Sequence, residues 1–355
     1  MVKVALLGFG TVGSGVAEVL LTNGELIKSK TGIDFEIKYI LDLREFPDHP
    51  LGNRIVHDIN VILNDPEVSI VVEMMGGVHP AYDFSIAAIK AGKSVVTSNK
   101  AVVAAHGPEL LKEATDRGLR YMFEASVGGG IPIIRPLTDL TTEDEVTEIV
   151  GILNGTTNYI LTAMKEEGAS FEEALATAQK MGYAEADPTA DVDGFDSCRK
   201  ICILAAVAFG NLVSYENVDT VGIRNITLED IKRAEEKGAA VKLIARAVKA
   251  NEGKVHISVK PYAVRRFNPL YAISDVFNGI LVRGKISGDL MFYGKGAGKL
   301  PTAGAVVSDI IDIACRGENQ PAQEVWTTDS EMLLPSLPVS LVDATLADLG
   351  YPIFN

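Results

Sequence analysis

Val2-Lys3-Val4-Ala5-Leu6-Leu7-Gly8-Phe9-Gly10-Thr11-Val12-Gly13 decides how the first third of the chain reads. A β-branched and aliphatic run breaks into Gly-x-Gly-x-x-Gly, and a helical pattern follows. That order gives a strand, a tight turn and a helix whose free N–H groups face an anion. Gly8 permits the turn, Gly10 lets a pyrophosphate approach the backbone, and Gly13 lets the helix pack on the strand. Phe9, Thr11 and Val12 complete the loop. The next strand pattern, residues 35–41, closes on Asp42. That carboxylate could bond the ribose hydroxyls of NAD, whereas Arg44 could pair with a 2′-phosphate, so the nucleotide is NAD or NADP.

Beyond this unit, strand and helix patterns keep alternating. Residues 69–73 form a buried strand pattern that stops at Met74-Met75-Gly76-Gly77. Residues 79–91 have helical spacing, 94–97 read as a strand, and Ser98-Asn99-Lys100 as a loop. A helix over 108–118 leads to a strand over 120–123. The repetition predicts an α/β fold with a Rossmann-type, doubly wound parallel sheet and ligands at its carboxyl edge. Gly128-Gly129-Gly130 and Pro132 interrupt it, which places a domain limit after residue 131. Residues 132–298 carry strand patterns at 146–153, 254–262, 279–285 and 288–293 with helices between them. They predict a second, α+β domain with a mainly antiparallel or mixed sheet. A helix over 302–315 is expected to return to the first domain, which takes in 299–318. Residues 319–355 form a proline-punctuated tail, too short for a regulatory domain.

The chain has 355 residues, 47% of them hydrophobic, three cysteines and a formal net charge of −14. That length supports two domains with real cores. The acidic balance argues against nucleic acid and against an anionic membrane surface. No apolar stretch is long enough to span a bilayer. Few cysteines and no targeting segment ahead of the first strand point to the cytoplasm. The charge balance says nothing about small-molecule chemistry, because a local cationic pocket can sit in an acidic protein. Cys198 and Cys202 lie one helical turn apart without further ligands and read as buried thiols.

The chemistry concentrates in Gly182 and the residues after it. Glu185, Asp187, Asp191, Asp193 and Asp196 put five carboxylates in twelve residues, followed by Cys198-Arg199-Lys200. Such a loop could simply cap a helix, or it could hold the ammonium of an amino-acid-like substrate. Lys200 favours the second reading. The helix from 195 is apolar on nearly every side, and Asp196, Lys200, Leu204 and Val207 share one face. A lysine there is costly unless paired or used; an exposed i,i+4 Asp–Lys pair would contribute only about 0.3–0.5 kcal/mol. Lys100 follows a strand end on the ligand edge, although loop lysines are commonly just solvated. Asn154-Gly155-Thr156-Thr157-Asn158 opens a helix whose amides and hydroxyls suit a carboxylate or an alcohol, or form an ordinary cap. His57, His79, His106 and His256 show no ligand spacing.

These segments resemble the homoserine dehydrogenase family over roughly residues 1–315. The resemblance rests on the glycine loop, Glu73-Met74-Met75-Gly76-Gly77, Thr97-Ser98-Asn99-Lys100-Ala101, Glu124 to Pro132, Gly151 to Tyr159, the acidic segment through Lys200, and Gly296-Ala297-Gly298 with Pro301-Thr302. It implies NAD(P)-dependent interconversion of L-homoserine and L-aspartate 4-semialdehyde, in the biosynthesis of threonine, methionine and isoleucine, by a homodimer. It makes Lys200 the proton-transfer residue, with Lys100 and Asp196 beside it in catalysis. Glu185, Asp191, Gly155 and Thr156 bind substrate. Ser98, Lys100 and Gly298 join the glycine loop at the cofactor. It also implies a structural monovalent cation, sodium, at Glu124, Val127, Gly129 and Ile131, largely through backbone carbonyls. Rival readings are another two-domain NAD(P)-dependent dehydrogenase of a small amino or hydroxy acid, a thioester-forming semialdehyde dehydrogenase, and a non-catalytic NAD-binding sensor. The thioester route needs an activated cysteine, and Cys198 and Cys202 lie inside a helix.

Overall fold

In the computed structural model, β1 (Val2–Leu7) pairs in parallel with β2 (Phe35–Leu41) on one side and β4 (Val68–Glu73) on the other. β3 (Ile55–Val56), β5 (Ser94–Thr97) and β6 (Tyr121–Met122) extend it into a six-stranded parallel sheet of order β3-β2-β1-β4-β5-β6. This is the Rossmann-type sheet the alternating pattern predicts. The order reverses between β1 and β4, which is where such sheets open a crevice at their carboxyl edge. The structure describes residues 1–316, 323–337 and 353–354. Most of the expected tail, and residues 317–318 of the returning segment, lie outside these.

The chain forms two units, Met1–Arg135 with Ala297–Thr327, and Pro136–Gly296 with Thr328–Asn355. In the first, Val4, Leu6, Val72 and Val96 of the sheet share a core with Val16, Ala17 and Leu20 of the Thr11–Thr22 helix. Ala303, Val306, Val307 and Ile310 of the Lys299–Arg316 helix complete it. Each large aliphatic side chain so buried contributes about 1.5–3 kcal/mol.

One helix begins earlier than its sequence suggests. It runs Lys100–Asp116, with Pro108 inside it, so Lys100 is the first helical residue and not part of a loop. Asn99 Oδ1 accepts from the N–H groups of Ala101 (3.1 Å) and Val102 (3.4 Å) and caps the start. Val102, Val103, Leu110 and Leu111 are buried on both sides of the proline. That shared face outweighs the one backbone bond that proline cannot make.

The second unit holds β7 (Val146–Ile152), β8 (Asp219–Thr220), β9 (Ala239–Lys249), β10 (Val255–Arg265), β11 (Phe277–Gly284), β12 (Gly288–Lys295), β13 (Leu333–Leu334) and β14 (Ile353–Phe354). The order β12-β11-β7-β9-β10 is antiparallel throughout, and β8, β13 and β14 each pair with β10 in parallel. β9 is absent from the sequence reading. Its Ala239-Ala240-Val241-Lys242-Leu243-Ile244-Ala245-Arg246-Ala247 composition suits a helix as well as a strand. The Phe195–Phe209 helix packs against β7, β9 and β10. Lys242 on β9 is only 3% exposed. It donates to Asn158 Oδ1 (3.1 Å) and to the Ile273 carbonyl, and burial brings its pKa down to about 8. Among the described residues no helix is long and apolar enough to cross a membrane.

Candidate active site

Each unit carries one candidate site. In the first, Gly8 adopts φ +94°, a backbone that L side chains rarely take. A Cβ on Gly13 would lie 2.1 Å from the Gly8 carbonyl oxygen, whereas one on Gly10 would meet nothing within 4 Å. Strand and helix thus touch at Gly13, and the backbone is open at Gly10. Gly10 is also the N-cap of the Thr11–Thr22 helix, and no side chain caps that end. An uncapped helix N-terminus behind an open glycine fits a pyrophosphate.

Phe9 N–H donates to Asp42 Oδ2 (2.7 Å), which ties the glycine loop to the end of β2. Arg44 covers the same carboxylate: its N–H and Nε meet Oδ1, and a terminal guanidinium nitrogen meets Oδ2, all at 2.9 Å. The guanidinium holds the Asp42 carboxyl well below the usual carboxylate range. His57 accompanies them, with its ring nitrogens 2.7 Å from the Asp42 carbonyl and 2.7 Å from Glu45 Oε1. The bond to Glu45 raises its pKa. Ser98 N–H donates to the Glu73 carbonyl (3.3 Å) at the same sheet edge. Gly298 adopts φ +128°, and its carbonyl accepts from Thr302 (3.0 Å) at the start of the Lys299–Arg316 helix.

The Glu124 segment has a structural task of its own. The Glu124 carboxylate accepts from the N–H groups of Ile133 (2.6 Å), Ile134 (2.8 Å) and Arg135 (2.8 Å), at the start of the Ile134–Leu140 helix. Its side chain caps the start of that helix. Among the described residues, no group of three or more His, Cys, Asp or Glu side chains could hold a metal ion.

In the second unit, Lys200 is 8% exposed and Asp196 3%. Lys200 Nζ donates to Asp196 Oδ2 (2.7 Å) and to the Leu153 carbonyl (2.7 Å). An ammonium has three N–H donors, so these two bonds leave a third. Asn154 Nδ2 donates to Asp196 Oδ2 (2.8 Å) and to Asp191 Oδ1 (2.7 Å), while its Oδ1 caps Thr157 N–H (2.8 Å). Asn154 therefore joins the end of β7, the start of the Gly155–Glu166 helix and the acidic loop. The sequence reads it as part of a helix start, and the cap is as expected, whereas its bonds to the two aspartates are not visible there. Thr156 Oγ1 donates to the Tyr183 carbonyl (2.6 Å). Gly155 packs so closely that a Cβ there would sit 2.7 Å from the Val276 carbonyl oxygen.

The five carboxylates separate. Asp191 and Asp196 join the Lys200 network. Asp193 pairs with Arg224, and Asp187 Oδ1 accepts from Thr189 N–H (3.1 Å). Glu185 is exposed, with its carbonyl accepting from Gln179 (3.1 Å). Cys198 and Cys202 are 0% exposed, which leaves neither thiol open to a substrate.

This chain is similar to a well-populated group of proteins. A family model for homoserine dehydrogenase matches residues 132–311, and a model for the homoserine dehydrogenase NAD-binding domain matches 8–124. Homoserine dehydrogenase of Synechocystis sp. is 45% identical over 323 residues, 88% of this chain and 73% of that one. That of Bacillus subtilis is 41% identical over 315 residues, 88% of this chain and 72% of that one. A crystal structure of the Thiobacillus denitrificans homoserine dehydrogenase superposes with TM-score 0.87 at 37% identity, covering 95% of this chain and 80% of that one. A hyperthermophilic archaeal homoserine dehydrogenase in complex with NADPH gives TM-score 0.75 at 28% identity, covering 88% and 97%. With the dinucleotide fold in one unit and the buried lysine network in the other, the chain belongs to the homoserine dehydrogenase family and is an oxidoreductase acting on a CH–OH group.

Proposed function

We propose that the chain interconverts L-homoserine and L-aspartate 4-semialdehyde with NAD or NADP, as a cytoplasmic homodimer serving threonine, methionine and isoleucine synthesis. The observation that carries the chemistry is the buried Lys200 ammonium, with two donors committed and one left. A bound nicotinamide supplies the hydride acceptor or donor. On oxidation Lys200 Nζ acts as the neutral amine, takes the hydroxyl proton and becomes the ammonium; on reduction the ammonium returns that proton, and its charge stabilises the developing alkoxide. Asp196 and the Leu153 carbonyl hold that nitrogen in place. Glu185 and Asp191 meet the substrate ammonium, and Gly155 and Thr156 meet its carboxylate from a helix N-terminus. Lys100 lies at the cofactor–substrate junction, with Ser98, Gly298 and the glycine loop on the cofactor.

The first unit then acts as the NAD(P)-binding domain and the second as the substrate and dimerisation domain. A sodium ion held by carbonyls of the 124–131 turn belongs to the same proposal. The test is steady-state oxidation of homoserine with NAD and NADP in parallel, followed at the nicotinamide absorbance. Turnover with either nucleotide is the expected result, and its absence with both would leave a nucleotide sensor as the better reading.

A further inference from the structure

Glu73 ends β4 at the carboxyl edge of the first sheet and is 0% exposed. A carboxyl group so placed is costly unless its oxygens are bonded, and nothing in the reaction above uses it. Its Oε1 accepts from Met75 N–H (2.6 Å) and its Oε2 from the Thr97 hydroxyl (2.6 Å). Thr97 Oγ1 in turn accepts from Asn99 N–H (2.9 Å). Asn99 Nδ2 donates to the carbonyls of Met75 (3.1 Å) and Gly77 (2.7 Å), while its Oδ1 caps the helix that begins at Lys100. Thr97 is 0% exposed and Asn99 7%, so water does not compete for these bonds. Burial pushes the Glu73 carboxyl up, and the bonds from Thr97, Met75 and Asn99 oppose that shift. One line of hydrogen bonds therefore runs from the end of β4, through the end of β5, to the helix start that carries Lys100.

We propose that Glu73 is a positioning residue, acting through Thr97 and Asn99 to fix the first turn of the Lys100–Asp116 helix and with it the place of Lys100 in the reaction. The inference rests on the role assigned to Lys100 above. The bonds fix two loops that would otherwise vary independently, and small displacements of a reacting group cost rate steeply.

Thr97→Val removes the hydroxyl, and Thr97→Ser keeps it. Thr97→Val is expected to lower kcat about ten- to a hundredfold, while Thr97→Ser stays within about threefold of the parent. In the cofactor-free protein, the amides of Ala101 and Val102 should exchange with deuterium about tenfold faster in Thr97→Val, with Thr97→Ser close to the parent. Glu73→Gln keeps the volume but turns an N–H toward Thr97, and should follow Thr97→Val in both measurements. In a Lys100→Ala background, Thr97→Val should cost less than about twofold more. Parent-like kcat or exchange in Thr97→Val or Glu73→Gln overturns the proposal, as does a full additional loss in the Lys100→Ala background. If Lys100→Ala alone leaves kcat unchanged, the role of Lys100 falls and this inference falls with it. A slow Lys100→Ala beside a normal Thr97→Val removes the positioning role alone.

Discussion

Around Gly8–Gly13, what the protein offers a ligand is main chain: an open backbone at Gly10, an uncapped helix end and a glycine contact at Gly13. Around Lys200, what it offers is side chain: Asn154, Asp191, Asp196 and Lys200 in one hydrogen-bonded group, three of them under 9% exposed. The first arrangement depends on the absence of atoms and the second on their presence. A backbone site is damaged by adding a methyl group to a glycine that has no room for it. A buried side-chain site fails when one polar group is removed, because its partners are left unsatisfied.

The largest effect should separate chemistry from binding. Lys200→Ala is expected to lower kcat/KM by about a thousandfold, while NAD(P) affinity, followed by nucleotide fluorescence, stays within about twofold of the parent. Near-normal turnover would break the contrast, since the side-chain network would then be structural only. Next in size is a stability effect within the second unit. Lys242 titrates near 8 in the folded chain against an ordinary 10.5. Between those values the unfolded chain binds a proton there that the folded chain does not, so stability from this group rises with pH across that window. The span corresponds to something on the order of 3 kcal/mol. Denaturant titrations at several pH values should show that rise in the parent and lose it in Lys242→Met; equal slopes in the two proteins would contradict the assignment.

Two smaller effects probe the backbone site. Gly13→Ala should destabilise the chain by about 1–3 kcal/mol, because its Cβ has no room beside Gly8. Gly10→Ala should leave stability within about 0.5–1 kcal/mol and act mainly by raising KM for the nucleotide. Melting curves and nucleotide KM values, taken together, distinguish the two glycines, and matching profiles would remove the distinction drawn between them. Arg44→Ala should change the ratio of NAD to NADP kcat/KM by about tenfold, against NADP, in keeping with the loss of one charge-assisted contact. An unaltered ratio would show that Arg44 serves only Asp42.

The same contrast governs what the sequence discloses. Five of the six strands of the first sheet are legible because each is a short apolar or alternating run ended by glycine or a polar turn, a local signal; β3, two residues long, carries no such signal. β9 is not legible, because alanine, lysine and arginine alternate with aliphatics in a run that suits either structure, and only the strands on both sides of it decide. Pro108 reads as a helix start, yet Asn99 caps the helix earlier and a buried face carries it through the proline. Lys200 stands out as a cation in an apolar helix. Which of its neighbouring carboxylates turn toward it cannot be read from five acids in a row, and Asp193 and Asp187 turn elsewhere. Asn154 is visible only as part of a cap, since its bonds to Asp191 and Asp196 join residues far apart in sequence.

The Lys299–Arg316 helix closes the core over the Thr11–Thr22 helix, so tightly that a Cβ on Gly15 would lie 3.1 Å from that of Ala303. Most of the second unit lies between these two helices in the chain. During synthesis the glycine loop emerges well before the helix that covers its neighbour, which is made only after Gly296. Until then Val16, Ala17 and Leu20 lack part of their cover, an apolar surface that a chaperone or a misfolded neighbour can reach. The dinucleotide unit is thus completed only after Pro136–Gly296 of the second unit has been made, and a stable grip on the nucleotide marks a chain translated through the Lys299–Arg316 helix.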